Sequence, residues 1–304
     1  MLLTQVVDGY LIDARARKLS ENTIKDYRNT YRRFIRVMGD VEIETVTVRQ
    51  ARQFMASLTN VCAKTARNMY IGLSALWTWA KADHIVKEHI WREIKPPRSD
   101  YRVIVPFTET EVRALLKASV RVTAETHGKE VTYKPHCAQR NKSMVLFLVD
   151  TGLRATELCS LKISDVDMKN ARVKVMRKGR KERLVEFSPV TMKALWRYLT
   201  SRPDRTNDDQ LYVTDEGRPM GRDDLARVVK CIGKRAGVED CHPHRFRHTF
   251  AVLSLKNGID PYTLQNALGH SSMEMVRRYL NMAQVDSARL QRKASPIANL
   301  GLPG

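Results

Sequence analysis

Cysteine is scarce. The 304-residue chain has five, Cys62, Cys137, Cys159, Cys231 and Cys241, odd in number and without paired spacing. A disulfide scaffold is therefore excluded, the thiols suit a reducing cytosol, and most are expected to be small core residues. Cys241-His242 has no CxxC partner, so no metal site is expected, and no cofactor. Glycine (14) and proline (11) are too few for a collagen-like or low-complexity chain, and 43% apolar residues argue for a packed globular protein. No stretch approaches ~18 consecutive apolar residues, which excludes a membrane-spanning helix. Met1 to Tyr10 is apolar but carries Asp8 and lacks a basic start, so it does not read as a signal peptide and a cytoplasmic location is expected. Acidic residues are also few: 33 Asp and Glu face 53 Lys and Arg, a formal charge of +20. An excess of this size calls for a polyanionic partner, and double-stranded DNA leads over an anionic membrane surface.

The first ~95 residues read as helix only. Ser20 caps a helix whose stripe Tyr27, Tyr31, Phe34 and Ile35 runs to Gly39, interleaved with Arg28, Arg32, Arg33 and Arg36. Thr47 caps another through Ala51, Phe54 and Leu58, and a third runs from about Cys62 to Asp83 with Leu73, Leu76 and Trp77. Lys95-Pro96-Pro97-Arg98 stops the helical pattern and marks a linker. Thr108-Glu109-Thr110-Glu111 is a capping box opening a helix through Val112, Leu115 and Leu116. Residues 119–141 are polar and read as a long loop or hairpin. An apolar helix from Ser143 breaks at Gly152. Strands are expected at Arg172 to Met176 and Leu184 to Phe187 around the turn Arg177-Lys178-Gly179-Arg180, with a third at Gln210 to Val213. Helices follow at about 222–236, 245–257, 261–268 and 272–283.

Five segments of the second half carry basic, imidazole or phenolic groups at turns and helix starts. They are Thr151-Gly152-Leu153-Arg154 with Glu157, the hairpin tip with Lys178, His244-Arg245-Phe246-Arg247-His248, Leu268-Gly269-His270-Ser271-Ser272, and Tyr279. Each alone has an ordinary explanation as a solvated cation, a cap or packing. Their joint occurrence in a basic chain points to phosphodiester chemistry. Two guanidiniums, Arg154 and Arg247, can grip the non-bridging oxygens of one phosphate. His244 lies three residues before Arg247, on the same side of a helix start, and His270 can add a further donor. Lys178 suits a general acid for a departing sugar oxygen, and Tyr279 a nucleophile whose phenol, of ordinary pKa ~10, needs cationic neighbours. Glu157, the one acid here, is expected to orient a basic group.

These segments resemble the tyrosine recombinase (phage integrase) family along essentially the whole chain. Arg154 with Glu157-Leu158 looks like the family's first arginine box and His244 to Thr249 like its HxxR segment. Tyr279, nine residues after His270, has the nucleophile spacing, and Lys178, 24 residues after Arg154, stands where the family keeps its hairpin lysine. Phe246 replaces a common leucine. The resemblance implies a mainly α fold: an N-terminal helical core-binding domain at 1–95, a linker at 96–106, and at 107–284 a mostly helical catalytic domain with a small antiparallel β-sheet. The tail, 285–304, resembles a segment that docks on a neighbouring protomer, and no further N-terminal arm-binding domain is expected. It also implies a 3′-phosphotyrosyl intermediate, a released 5′-hydroxyl, no ATP or metal, and strand exchange by four protomers through a Holliday junction, with a DNA-bending accessory factor as a further partner. The wording around Tyr279 and the long 119–141 segment look more like an integrase of a mobile element than a chromosome-dimer resolvase. A type IB topoisomerase and a non-catalytic DNA-binding protein are the alternatives. Synapsis of two duplexes separates the first, and the presence of all the reactive side chains argues against the second.

Overall fold

A computed structural model of the chain describes residues 1–98, 104–126, 129–176, 182–202, 204–269 and 272–283. The chain divides into two compact units, Met1–Val103 and Ile104–Gly304.

The described residues of the first unit form four α-helices, α1 (Leu3–Ala16), α2 (Glu21–Met38), α3 (Val48–Ala56) and α4 (Ala63–Ala82), with short 3-10 turns at Ile43–Thr45 and Ile90–Glu93. The capping residues set the starts as the sequence dictates. The Ser20 hydroxyl accepts from the Thr23 N–H, and Thr47 forms a reciprocal box with Gln50. Gly39, with φ +77°, ends α2. The stripe expected on α2 packs inward: Phe34 meets Phe54 and Trp77 edge-on at centroid distances of 4.9 and 5.8 Å. Helix α1 is an addition to the sequence reading. Leu3, Val6, Val7, Tyr10, Leu11 and Ala14 line its buried face, and its start lacks a side-chain cap that would have announced it. The arginines Arg28, Arg32 and Arg36 of α2 stay off the core.

The second unit opens with α5 (Glu109–Val120), whose capping box from Thr108 to Glu111 is formed as expected. The polar 119–141 segment contains an antiparallel hairpin, β1 (Val122–Thr126) with β2 (Lys129–Tyr133), and the start of α6 (Ala138–Thr151), five residues earlier than the apolar run suggested. After α7 (Ala155–Ser160) comes a three-stranded sheet in the order β3 (Val166–Asp167), β4 (Arg172–Met176), β5 (Glu182–Glu186), all antiparallel, with Val175 opposite Arg183. The third strand is thus not Gln210 to Val213. Those residues make only isolated bridges, Lys162 with Gln210 and Val213 with Pro219, while Val166–Asp167 takes the edge position. Helices α8 (Pro189–Thr200), α9 (Arg222–Ala236), α10 (Pro243–Lys256), α11 (Pro261–Leu268) and α12 (Glu274–Ala283) follow among the described residues.

Two apolar clusters hold this unit. The larger gathers Phe107, Phe147, Leu153, Val173, Val175, Leu195, Tyr212 and Phe246 between sheet and helices. The smaller joins α10, α11 and α12 through Ala251, Val252, Leu255, Leu264, Leu268, Val276 and Tyr279. The cysteines depart from expectation. Only Cys241 is buried, Cys137 and Cys159 are partly so, and Cys62 and Cys231 are exposed, the first at the cap that precedes α4 and the second on an outward position of α9. No helix among the described residues is long and apolar enough to cross a membrane.

Candidate active site

The site starts at a glycine. Gly152 ends α6 at φ +59°, a left-handed conformation costly for any residue with a Cβ, and a Cβ there would sit 2.3 Å from Phe250 Cδ1. The tight turn lets the chain reverse into α7 with Arg154 at its N-cap. Gly152→Ala combines backbone strain with a clash and is expected to lower the melting temperature by roughly 5–10 °C. Gly217→Ala is the control, since its φ is also positive (+79°) but nothing lies within 4 Å of the added carbon. It should cost only a few degrees, and equal shifts for the two variants would refute the packing argument.

Arg154 has its side chain 42% exposed and is held from behind by Glu157. The Glu157 carboxylate accepts from the Arg154 backbone N–H (2.8 Å) and from its guanidinium (2.9 Å), closing a box at the start of α7. The orienting role expected of Glu157 is therefore present, with a second recipient. Arg183 on β5, 9% exposed, donates from Nη1 and Nη2 to the two Glu157 oxygens at 3.0 and 2.9 Å. Burial pushes the Glu157 pKa up, but the hydrogen bonds from Arg183 and from the Arg154 backbone, with both guanidinium charges, bring it below the ordinary value. One carboxylate thus sits between two cations.

Arg247 enters from α10. It is 2% exposed, donating from Nη1 to the Gly152 carbonyl (2.9 Å) and from Nη2 to the Leu268 carbonyl (2.7 Å). Arg154 Nη1 reaches the same Leu268 oxygen at 3.4 Å. Two arginines remote in sequence thus converge on the end of α11, two residues before His270. Burial holds the Arg247 pKa down at about 10, and Arg154 and Arg183 push it the same way; Glu157 and Tyr279 oppose them. With Arg154, Arg183 and Arg247 around Glu157, the cluster carries an excess of positive charge suited to a phosphate that gains charge in a transition state.

His244, one turn before His248 on α10, is exposed and meets the His248 ring edge-on at 4.5 Å. His248 in turn meets the Tyr279 ring at 5.2 Å. His248 is 8% exposed, and neither ring nitrogen has a hydrogen-bond partner among the described residues. Burial, with the nearby charges of His244, Arg247 and His242, holds its pKa down at about 4, so it is neutral at pH 7. Tyr279 is 1% exposed, its ring within the small cluster of α10, α11 and α12. Phe246, the departure from leucine, is fully buried against Phe107 at 4.9 Å, so the larger ring is accommodated.

Of the six expected site residues, Arg154, His244, Arg247 and Tyr279 belong to one neighbourhood. Lys178 and His270 lie outside the described residues, as does the 285–304 tail. Arg183 and His248 were given no role by the sequence reading. Arg183 had a signal: it shares strand parity with the inward Val185, while Leu184, the apolar neighbour, faces out.

Comparison with known proteins identifies the family. The model of the phage integrase family matches residues 105–285, and that of the phage integrase N-terminal SAM-like domain matches residues 8–86. The chain belongs to the phage integrase family. Within it, the chain is a tyrosine recombinase. It is 31% identical to the tyrosine recombinase XerC of Staphylococcus epidermidis over 94% of this chain and 95% of that protein. It is 27% identical to the tyrosine recombinase XerA of Thermococcus onnurineus over 98% of each. Among solved structures, the Tn1549 transposon integrase in complex with a circular intermediate DNA has a similar fold, with TM-score 0.73, 21% identity, and 96% of this chain and 99% of that one covered. A lambda integrase dimer bound to a COC′ core site gives TM-score 0.73 and 19% identity over 92% of this chain and 77% of that one.

Proposed function

We propose that this recombinase cuts and rejoins double-stranded DNA at a defined site through a covalent link to Tyr279. The observation that supports it most is the meeting of Arg154 and Arg247 on one carbonyl oxygen, Leu268 O, beside Glu157. In the cleavage step the Tyr279 oxygen bonds to phosphorus as the bond to the 5′ sugar oxygen breaks. The phenol proton leaves to solvent or a neighbouring base, and Lys178 gives a proton to the departing oxygen. Arg154 and Arg247 hold the non-bridging oxygens, where charge rises in the pentacovalent state, and His244 and His270 add donors. The phosphotyrosine conserves the energy of the broken bond, so the reverse attack by a 5′-hydroxyl rejoins the strand without ATP. The basic side chains take the part that bound cations take in metal-dependent nucleases.

The partner is duplex DNA, bound by a core-binding unit at 1–95 and a catalytic unit at 107–284 joined by the 96–106 linker. Four protomers exchange strands in turn, the 285–304 tail docking on a neighbour and a bending protein assisting. The first substrate reading is the end of a mobile element. The chromosome-dimer-resolving alternative is favoured by one observation, the match along nearly the whole chain to relatives named XerC and XerA.

Covalent capture tests the function. The protein is mixed with genomic fragments of its source organism, denatured, and the DNA that stays attached is sequenced. Adducts should collect at one sequence, and two duplexes bearing it should exchange strands. Element ends or a single chromosomal locus would identify the substrate. Scattered adducts with relaxation but no pairing would show a topoisomerase, and no adducts a binding protein alone.

A further inference from the structure

Arg183 spans three segments with one side chain. Nη1 and Nη2 donate to both oxygens of Glu157, the carboxylate that holds Arg154, while Nε donates to the Ala267 carbonyl of α11 at 2.9 Å. Arg183 follows Lys178 by five residues and pairs across the sheet with Val175, three residues before Lys178. Ala267 precedes His270 by three residues. A guanidinium fixed at all three of its nitrogens in a buried site has no spare rotamer. Strands β4 and β5, which flank Lys178 in the chain, therefore sit at a set distance from Arg154 and from the end of α11.

We infer that Arg183 is a positioning residue for cleavage: it registers strands β4 and β5, between which Lys178 falls in the chain, against Arg154 and the end of α11, without itself contacting DNA. The inference rests on the reading of Arg154, Lys178 and His270 given above. Lysine cannot replace Arg183, because a single ammonium group cannot lie along both carboxylate oxygens and reach Ala267 as well. The charge beside Glu157 survives in Arg183→Lys, so no carboxylate is left buried alone.

The test is a double-variant cycle on a nicked suicide duplex bearing the captured site, with wild type, Arg183→Lys, Lys178→Ala and both together. Single-turnover adduct formation, duplex affinity and melting temperature are measured for each. Arg183→Lys should slow adduct formation by about 100-fold, the loss expected from a misplaced catalytic group. Its affinity should stay within about twofold, since many other cations hold the backbone. The double variant should be slower than Lys178→Ala by no more than about threefold, because the same function has already been lost. Losses that multiply, a full rate for Arg183→Lys, or a rate loss matched by an affinity loss would overturn the inference. If Arg183→Lys does not fold, Arg183→Gln is taken through the same cycle with the same expectations. A duplex with sulfur in place of the bridging 5′ oxygen keeps the two readings apart. It should rescue Lys178→Ala and Arg183→Lys alike, and rescue of the first alone would overturn the role of Arg183. If it rescues neither, Lys178 is not the acid, and the cycle still decides Arg183.

Discussion

Tyr279→Phe should bind the captured site as wild type does and form no covalent adduct at all. The ring is 1% exposed and packed with Val252, Leu264, Leu268 and Val276. Loss of one oxygen keeps those apolar contacts, so the variant should fold as wild type does. Loss of the nucleophile removes the reaction itself rather than slowing it. Affinity is carried by other groups: the chain has 53 Lys and Arg, and phosphate contacts dominate binding of this type. A gel-shift titration and a denaturing-gel adduct assay on the same duplex measure both quantities. An adduct that persists in Tyr279→Phe would remove Tyr279 from the mechanism.

Arg247→Met should lower adduct formation by about 10³-fold while affinity falls only a few-fold, because one transition-state donor is worth about 10²–10³ and this one also holds the site together. The side chain is 2% exposed and satisfies the carbonyls of Gly152 and Leu268. Its removal takes this donor from the Gly152 carbonyl, at about 1–3 kcal/mol, and leaves Leu268 with only the longer bond from Arg154, so a fall in melting temperature should accompany the catalytic loss. Arg247→Lys separates the two contributions. It keeps a charge in the pocket yet cannot reach both carbonyls, so stability should recover in part and catalysis hardly at all. Equal losses of affinity and cleavage in either variant would mean that Arg247 only binds DNA.

Much of the architecture follows from short-range chemistry that a reader of the sequence can follow. Ser20, Thr47 and Thr108 open helices because their hydroxyls satisfy N–H groups that a helix start leaves over, and each does so here. Gly152 and the arginine after it announce a turn, and the turn is present. What the sequence did not disclose depends on long-range packing. Helix α1 has an apolar face but no cap. The edge strand Val166–Asp167 is two residues long, too short for any alternation to register, whereas Leu211 to Val213 has the apolar character of a strand and finds no ladder. The site is legible as an inventory and not as a geometry. Nothing local says that the Arg154 and Arg247 guanidiniums meet at Leu268, or that Arg183, one of several basic residues near the hairpin, is the one turned inward onto Glu157. The burial of Tyr279 is likewise a property of α12 lying against α10 and α11, not of the residues around it in the chain.

The most direct test of Tyr279 as the nucleophile is peptide mapping of the wild-type protein trapped on the captured duplex. After nuclease and protease digestion, mass spectrometry should find a nucleotide attached through its 3′ phosphate to the phenol of Tyr279, with a free 5′-hydroxyl on the released strand. A nucleotide on any other side chain, or a 5′ linkage on Tyr279, would contradict the chemistry derived from this site.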